Sequence, residues 1–263
     1  MERNFYKGLY EYLNSNKPRR FFVLSIDIGH LGVSFGKRAY HHTIDDCFDM
    51  KLMATSISLS TWAAVFECEF YYNFSTTPND SLTLMVPKIA NLICCSPHWA
   101  EQGEAYLRRM VQNVYTAEGH PDVIPEFWEE RRFEPFVLAC LDLQQGRSPD
   151  LSQLKAPYRQ VLETFDHASE CARALKDVCD YHLEQSQARS DWPEAFESSP
   201  FNLLPCEVKL VNRVRQSLGY EPLEVDHELV HFFKNSMTEI PPAPELPIIG
   251  EIREAFRQAG VPL

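Results

Sequence analysis

From Thr43 to Phe74 the chain holds one sustained helical pattern, through DMKLMATSISLSTWAAVFECEFYYNF, and it stops at STTPNDS, a cluster of turn formers. The neighbouring segments read the same way. Phe5, Leu9 and Leu13 recur every four residues and predict a helix over 2–15. Phe21, Leu24, Ile28, Leu31 and Phe35 also fit helical spacing. Phe22, Leu24, Ile26 and Ile28 would equally suit a strand, and the helical neighbours on both sides favour helix. Downstream, Leu82 to Cys94 predicts a further helix. Ser96 and Pro97 then supply an N-cap and a first helical position where the missing N–H costs nothing. Glu101 and Glu104 precede Arg108 and Arg109, the order a helix dipole prefers.

The rest of the chain is punctuated by proline. Pro135, Pro157 and Pro205 each open a helical pattern, and Gly146 and Gly219 stand where C-caps belong. DHASECARALKDVCDYHLEQS is a second long helix, DHELVHFF a short one, IPPAPELP a stiff extended connection and GEIREAFRQAG a terminal helix. Only 10 glycines against 18 prolines leave few positions for tight hairpins and many for helix starts. The expected fold class is all-α, about ten helices in a bundle or in stacked helical pairs, joined by proline-marked loops. No long flexible linker divides the 263 residues, so a single helical domain over 1–263 is expected, with a soft boundary near 117–125.

Charge narrows the function. With 25 basic and 37 acidic residues the net charge is −12, which opposes binding to nucleic acid or to an anionic membrane. It suits a basic protein partner, whose approach an acidic surface accelerates, and it also suits plain solubility. The eight cysteines include no CxxC pair and sit mostly among apolar residues, as in VLACLDL, which predicts reduced core thiols and a cytoplasmic protein. MERNFYKGLYEYLNSNKPRR has no apolar core of a signal peptide, and FFVLSIDIGHLGVSF is too short and too polar to span a bilayer.

The stretch most suggestive of chemistry is YHHTIDDCFDMK, residues 40–51. On a continuous helix His42, Asp46 and Asp49 would share one face at i, i+4 and i+7, a carboxylate–imidazole set suited to zinc, iron or manganese. His227 and His231 in DHELVH, at i and i+4, are the nearest thing to a second ligand pair. Against this, Glu-x-x-His and His-Glu-x-x-His are both absent, and Asp45 and Asp46 near a helix start have an ordinary electrostatic use. A metal-dependent all-helical enzyme is therefore an alternative, and the leading expectation carries no metal, cofactor or catalytic residue. Cys94-Cys95 beside His98 could form an activated thiol, yet eight cysteines and nine histidines make one such neighbouring pair expected by chance. No Gly-x-Ser-x-Gly elbow, P-loop or Gly-x-Gly-x-x-Gly is present. Trp62, Phe66, Phe70, Tyr71 and Phe74, at spacings of three and four, read as core ahead of a cofactor box.

Residues 177–219 carry a resemblance. Asp180-Tyr181-His182 near the end of a long helix, Pro200-Phe201 in the following loop, and Leu204-Pro205 with Glu207 at the start of the next helix resemble helical immunity proteins of bacterial polymorphic-toxin and type VI secretion systems. CCSPHWAEQGEAYL looks like the mid-chain helix start such proteins carry, and the likeness covers about a third of the chain. It implies a cytoplasmic, non-enzymatic binder that occludes a cognate toxin by protein–protein interaction. On that reading Asp45, Asp46 and Asp49 form one candidate contact surface. The loop DWPEAFE forms another, with Trp192 and Phe196 as anchors and Asp191, Glu194 and Glu197 to steer. A general helical scaffold or adaptor is a further alternative.

Overall fold

The computed structural model describes residues 19–74, 78–115, 132–187, 196 and 199–263. The helix expected over 2–15 and the soft boundary near 117–125 lie outside them. The described residues form ten α-helices and no β-strand, so the fold is all-α. In chain order these are α1 (Arg19–His41), α2 (Met50–Phe74), α3 (Pro78–Cys95), α4 (Ala100–Tyr115), α5 (Phe133–Gln144), α6 (Tyr158–Glu163), α7 (Ala168–Gln185), α8 (Cys206–Ser217), α9 (Glu228–His231) and α10 (Pro247–Gln258). The run over 21–35 is helical, as its neighbours imply.

Helices α1 and α2 form a close antiparallel pair. Phe22 packs on Phe70 near one end, and Gly36 lies against Ser56 near the other. Between them Gly32 faces Ser60, and the Ser56 hydroxyl donates to the Gly32 carbonyl at 2.6 Å. A Cβ on Gly32 would stand 2.8 Å from Ser60 Oγ and 3.2 Å from the Ser56 carbonyl oxygen, so the approach depends on glycine having no side chain. On the outer side of this pair α10 lays down Ile248, Ile249, Ile252 and Phe256. The Phe256 ring meets Phe21 at 4.1 Å and Phe66 at 5.4 Å between centroids. The aromatic series on α2 is thus packing: Phe66 is fully buried, Tyr71 is buried, and Trp62, Phe70 and Phe74 pack at the margin of the core.

The larger core lies on the other side of α2, where α3, α5, α7 and α8 bury Ile89, Leu92, Phe136, Val137, Leu175, Val178, Leu210 and Val211. Arg213 of α8 donates to the carbonyls of Ile93 at 2.7 Å and Cys94 at 3.0 Å, satisfying acceptors that the end of α3 leaves open. Gly146 and Gly219 take positive φ (71° and 83°) just past α5 and α8, as their sequence positions suggest. Pro97 opens a short 3₁₀ turn, Pro97–Trp99, ahead of α4, and Ser96 makes no side-chain capping bond there. All eight cysteines are free, and seven of them are buried.

The main departure from the sequence pattern is at residues 42–49. The helical run does not begin at Thr43. The chain leaves α1 at His41, makes a two-residue reverse turn, and enters α2 only at Met50. Ile44 and Cys47 exchange backbone hydrogen bonds in both directions, at 3.1 and 2.9 Å, and Asp45 and Asp46 between them have φ of 54° and 62°. Positive φ at both central residues matches the twist of a tight hairpin turn, and Asp tolerates it better than most residues because its short side chain bonds locally. Asp49 then caps α2: its Oδ1 accepts from the N–H groups of Lys51 at 2.9 Å and Leu52 at 3.0 Å.

A candidate protein-binding face at the acidic turn

With the reverse turn in place, the premise of a metal-binding helical face fails. His42, Asp46 and Asp49 do not share a helix, because the chain reverses between the first two and the third is a cap. The distal histidines are engaged elsewhere. His227 Nδ1 accepts from the Leu229 N–H at 3.1 Å, which assigns the ring proton to Nε2, 3.1 Å from Asp180 Oδ1. His231 Nε2 lies 3.4 Å from Asp226. Among the described residues no group of three or more His, Cys, Asp or Glu side chains is arranged to hold a metal ion.

What the fold does assemble is a surface. The turn at 44–47 docks on the segment that follows α9. The Lys234 N–H donates to the Asp46 carbonyl at 3.0 Å, and Lys234 Nζ lies 3.3 Å from the Asp46 carboxylate. That ion pair is exposed on both sides and contributes little to stability. The backbone contacts beside it are firmer. Asn235 bridges Phe48, accepting from its N–H at 3.1 Å and donating to its carbonyl at 2.9 Å. Phe233 is buried and stacks on Tyr40 at 5.2 Å. Behind it, Lys209 Nζ donates to the carbonyls of Ser236 and Thr238 at 3.0 and 2.7 Å.

The same chain of contacts continues the negative charge. Asp226 is linked to Lys176 of α7 at 3.7 Å and to His231, and His227 links to Asp180 of α7. Asp45, Asp46, Asp180, Glu224, Asp226 and Glu228 are all exposed along this path, with Lys176 and Lys234 as the cations bonded within it. Of the expected contact residues, Asp45 and Asp46 stand open at the turn. Asp49 is half-buried, and its Oδ1 is committed to the cap of α2. Asp191, Trp192, Glu194 and Glu197 lie outside the described residues, and Phe196 of the same loop is buried against His182, which removes it as an exposed anchor. The clustering of Asp180, Asp226 and the turn was not legible in the sequence, since nearly 180 residues separate Asp46 from Asp226.

A second polar cluster has the look of catalytic machinery and the burial of a core. His182 Nδ1 lies 2.9 Å from Glu207 Oε2, and the Tyr158 hydroxyl donates to Glu207 Oε1 at 3.2 Å. All three are buried, and Phe196 stacks on the imidazole at 3.8 Å. Burial, and then the Glu207 carboxylate, push the Tyr158 phenol well above its ordinary range, so it stays a donor. His182 Nε2 is buried with no hydrogen-bond partner. These bonds join α6, α7 and α8 through one buried cluster. His182 and Glu207 are two of the residues on which the immunity-protein resemblance rests, and Tyr181 beside them packs edge-on against Tyr158 at 5.7 Å.

The thiol alternative does not assemble either. Cys94 and Cys95 are buried, and burial pushes the Cys94 thiol far up, away from the thiolate. His98 is exposed and turned toward Glu239, at 4.0 Å. A hollow of about 270 Å³ beside Cys94 and Cys95 is lined by Lys209 and Arg213, whose head groups are already spent on backbone carbonyls. A larger one, about 450 Å³, lies between α4 and α5 under Val111, Leu138 and Ala139. On its polar edge Arg108 and Asp142 are closed into a network with Glu104 and Arg147 at 2.6–3.1 Å, and Asp150 accepts from Ser152. Among the described residues no helix is long and apolar enough to cross a membrane. Comparison with protein-family models, curated proteins and solved structures finds no match for this chain.

Proposed function

We propose that this chain is a cytoplasmic immunity protein that neutralises a cognate bacterial toxin, delivered by a polymorphic-toxin or type VI secretion system, by binding and occluding it. The observation that carries the reading is the exposed acidic face from α7 through Asp226 to the turn at Asp45 and Asp46, held by backbone bonds on a rigid helical body. Such a face complements a basic partner, and the toxins that act on nucleic acid or other anionic substrates carry basic clefts. The net charge of −12 supports the same reading through long-range attraction. So does the resemblance: of its residues, Asp180 stands on the face, and Tyr181, His182 and Glu207 belong to the framework behind it.

Co-expression tests it. The gene adjacent to this one is expressed in a heterologous bacterium with and without the present chain. Growth arrest by the neighbour alone, relieved by co-expression, is the expected result. A neighbour whose toxicity this chain leaves unchanged refutes the proposal.

A further inference from the structure

Among the described residues four large hydrophobic side chains are exposed: Ile44 at 76%, Phe232 at 55%, Leu218 at 40% and Tyr220 at 38%. The two most exposed sit on the two segments that the Lys234–Asp46 backbone bond joins. We propose that Ile44 and Phe232 are the apolar anchors of the protein-binding face, inserting into an apolar hollow on a partner whose surrounding surface is cationic. The inference rests on the inhibitor reading above and names the residues that hold the partner once charge has brought it in.

Both side chains are displayed on hydrogen-bonded backbone. Ile44 is one of the paired residues of the reverse turn, bonded to Cys47 through both its N–H and its carbonyl. Phe232 packs edge-on against Phe233 at 4.8 Å, and Phe233 is itself fixed between Tyr40 and Phe48. Lys209 and Asn235 pin the segment that follows. With the backbone beneath them already fixed by these bonds, ordering the anchors on binding costs the entropy of two side chains and none of the loop. Their setting selects the occupant. Asp45 and Asp46 follow Ile44 in the turn, Asp46 paired with Lys234, and His231 next to Phe232 is paired with Asp226; with the net charge of −12 behind them, a second copy of this chain would bring like charges together and an anionic lipid surface would be repelled. A protein with lysine or arginine around an apolar depression satisfies both parts of the face.

The experiment is stopped-flow and calorimetric titration of the intact chain with the product of the adjacent gene, inactivated at its own active site. Variants are Ile44→Ala, Phe232→Ala, their double, Asp45→Asn/Asp46→Asn, and Leu218→Ala/Tyr220→Ala as control. Asn tolerates positive φ, so the turn survives the acidic substitutions. The anchor variants are expected to dissociate about tenfold faster each, with association rates changed less than about twofold. The Asn pair is expected to slow association and flatten its salt dependence, and the control to match the wild type. If the wild type binds and the anchor double variant dissociates at the wild-type rate, the anchor assignment is wrong and the inhibitor reading stands. If the wild type does not bind, both fall. Circular dichroism checks that each variant is folded, and both anchors being exposed, their melting points are expected to hold.

Discussion

Removing Glu207 tests how this fold is held at its centre. Glu207→Ala takes away the partner of His182 Nδ1 and of the Tyr158 hydroxyl together, in a site where all three side chains are buried. Each orphaned polar group costs about 1–3 kcal/mol, and breaking a buried hydrogen-bonded pair of this type costs about 3–5 kcal/mol in all. The expected loss is about 4 kcal/mol, equivalent to a drop of roughly 10 °C in Tm for a chain of this size. His182 already carries one unpartnered buried nitrogen. The double variant His182→Leu/Glu207→Met removes that burden along with the pair and leaves only the Tyr158 hydroxyl unsatisfied. It forfeits the stack on Phe196, worth about 1 kcal/mol. Its net cost is therefore expected near 1 kcal/mol, well below that of the single substitution. Urea unfolding followed by far-UV circular dichroism gives both numbers. A single variant that loses less than about 1 kcal/mol, or a double variant that loses as much as the single, refutes the view that the cost lies in stranded polar groups.

Other perturbations follow the same logic. Asp49→Ala leaves the Lys51 and Leu52 N–H groups without their acceptor and is expected to destabilise by about 1 kcal/mol in the same unfolding assay, while Asp49→Asn retains most of the cap. Gly32→Ala gains about 1 kcal/mol of helix propensity but drives a methyl group against Ser60 and the Ser56 carbonyl; a net loss of about 1–3 kcal/mol is expected, and net stabilisation would show that α1 and α2 can separate freely. Titration of the native protein with a thiol reagent at mildly alkaline pH is expected to label Cys47 rapidly and the other seven cysteines only after unfolding, because burial holds thiols such as Cys179 and Cys206 protonated; Cys47→Ser abolishes the fast phase. Association with the basic partner is expected to slow as salt rises, since exposed charges are screened beyond about 8 Å at physiological ionic strength; an on-rate indifferent to salt removes the electrostatic steering.

The helices themselves were legible because their information is local. The recurrence of Phe21, Leu24 and Ile28, of Ala63 and Phe66, and of Cys171, Leu175 and Val178 fixes which side of each helix is apolar, and Pro205, Gly146 and Gly219 mark the ends through backbone constraints that operate within a few residues. The acidity of the chain is likewise a matter of composition. The reverse turn at 44–47 was not legible, because its residues continue a helical pattern without a proline or glycine to stop it. Two aspartates tolerate the positive φ of the turn, and its docking on Lys234 and Asn235, far along the chain, adds contacts that no local pattern announces. Convergence of Tyr158, His182 and Glu207 on one buried point, and of Asp46, Asp226 and Asp180 on one face, likewise depends on how helices pack, which no window of sequence encodes. Local periodicity and composition thus determined an acidic, all-helical protein. Tertiary packing alone decided which carboxylates face outward together, because that depends on contacts between segments some 180 residues apart.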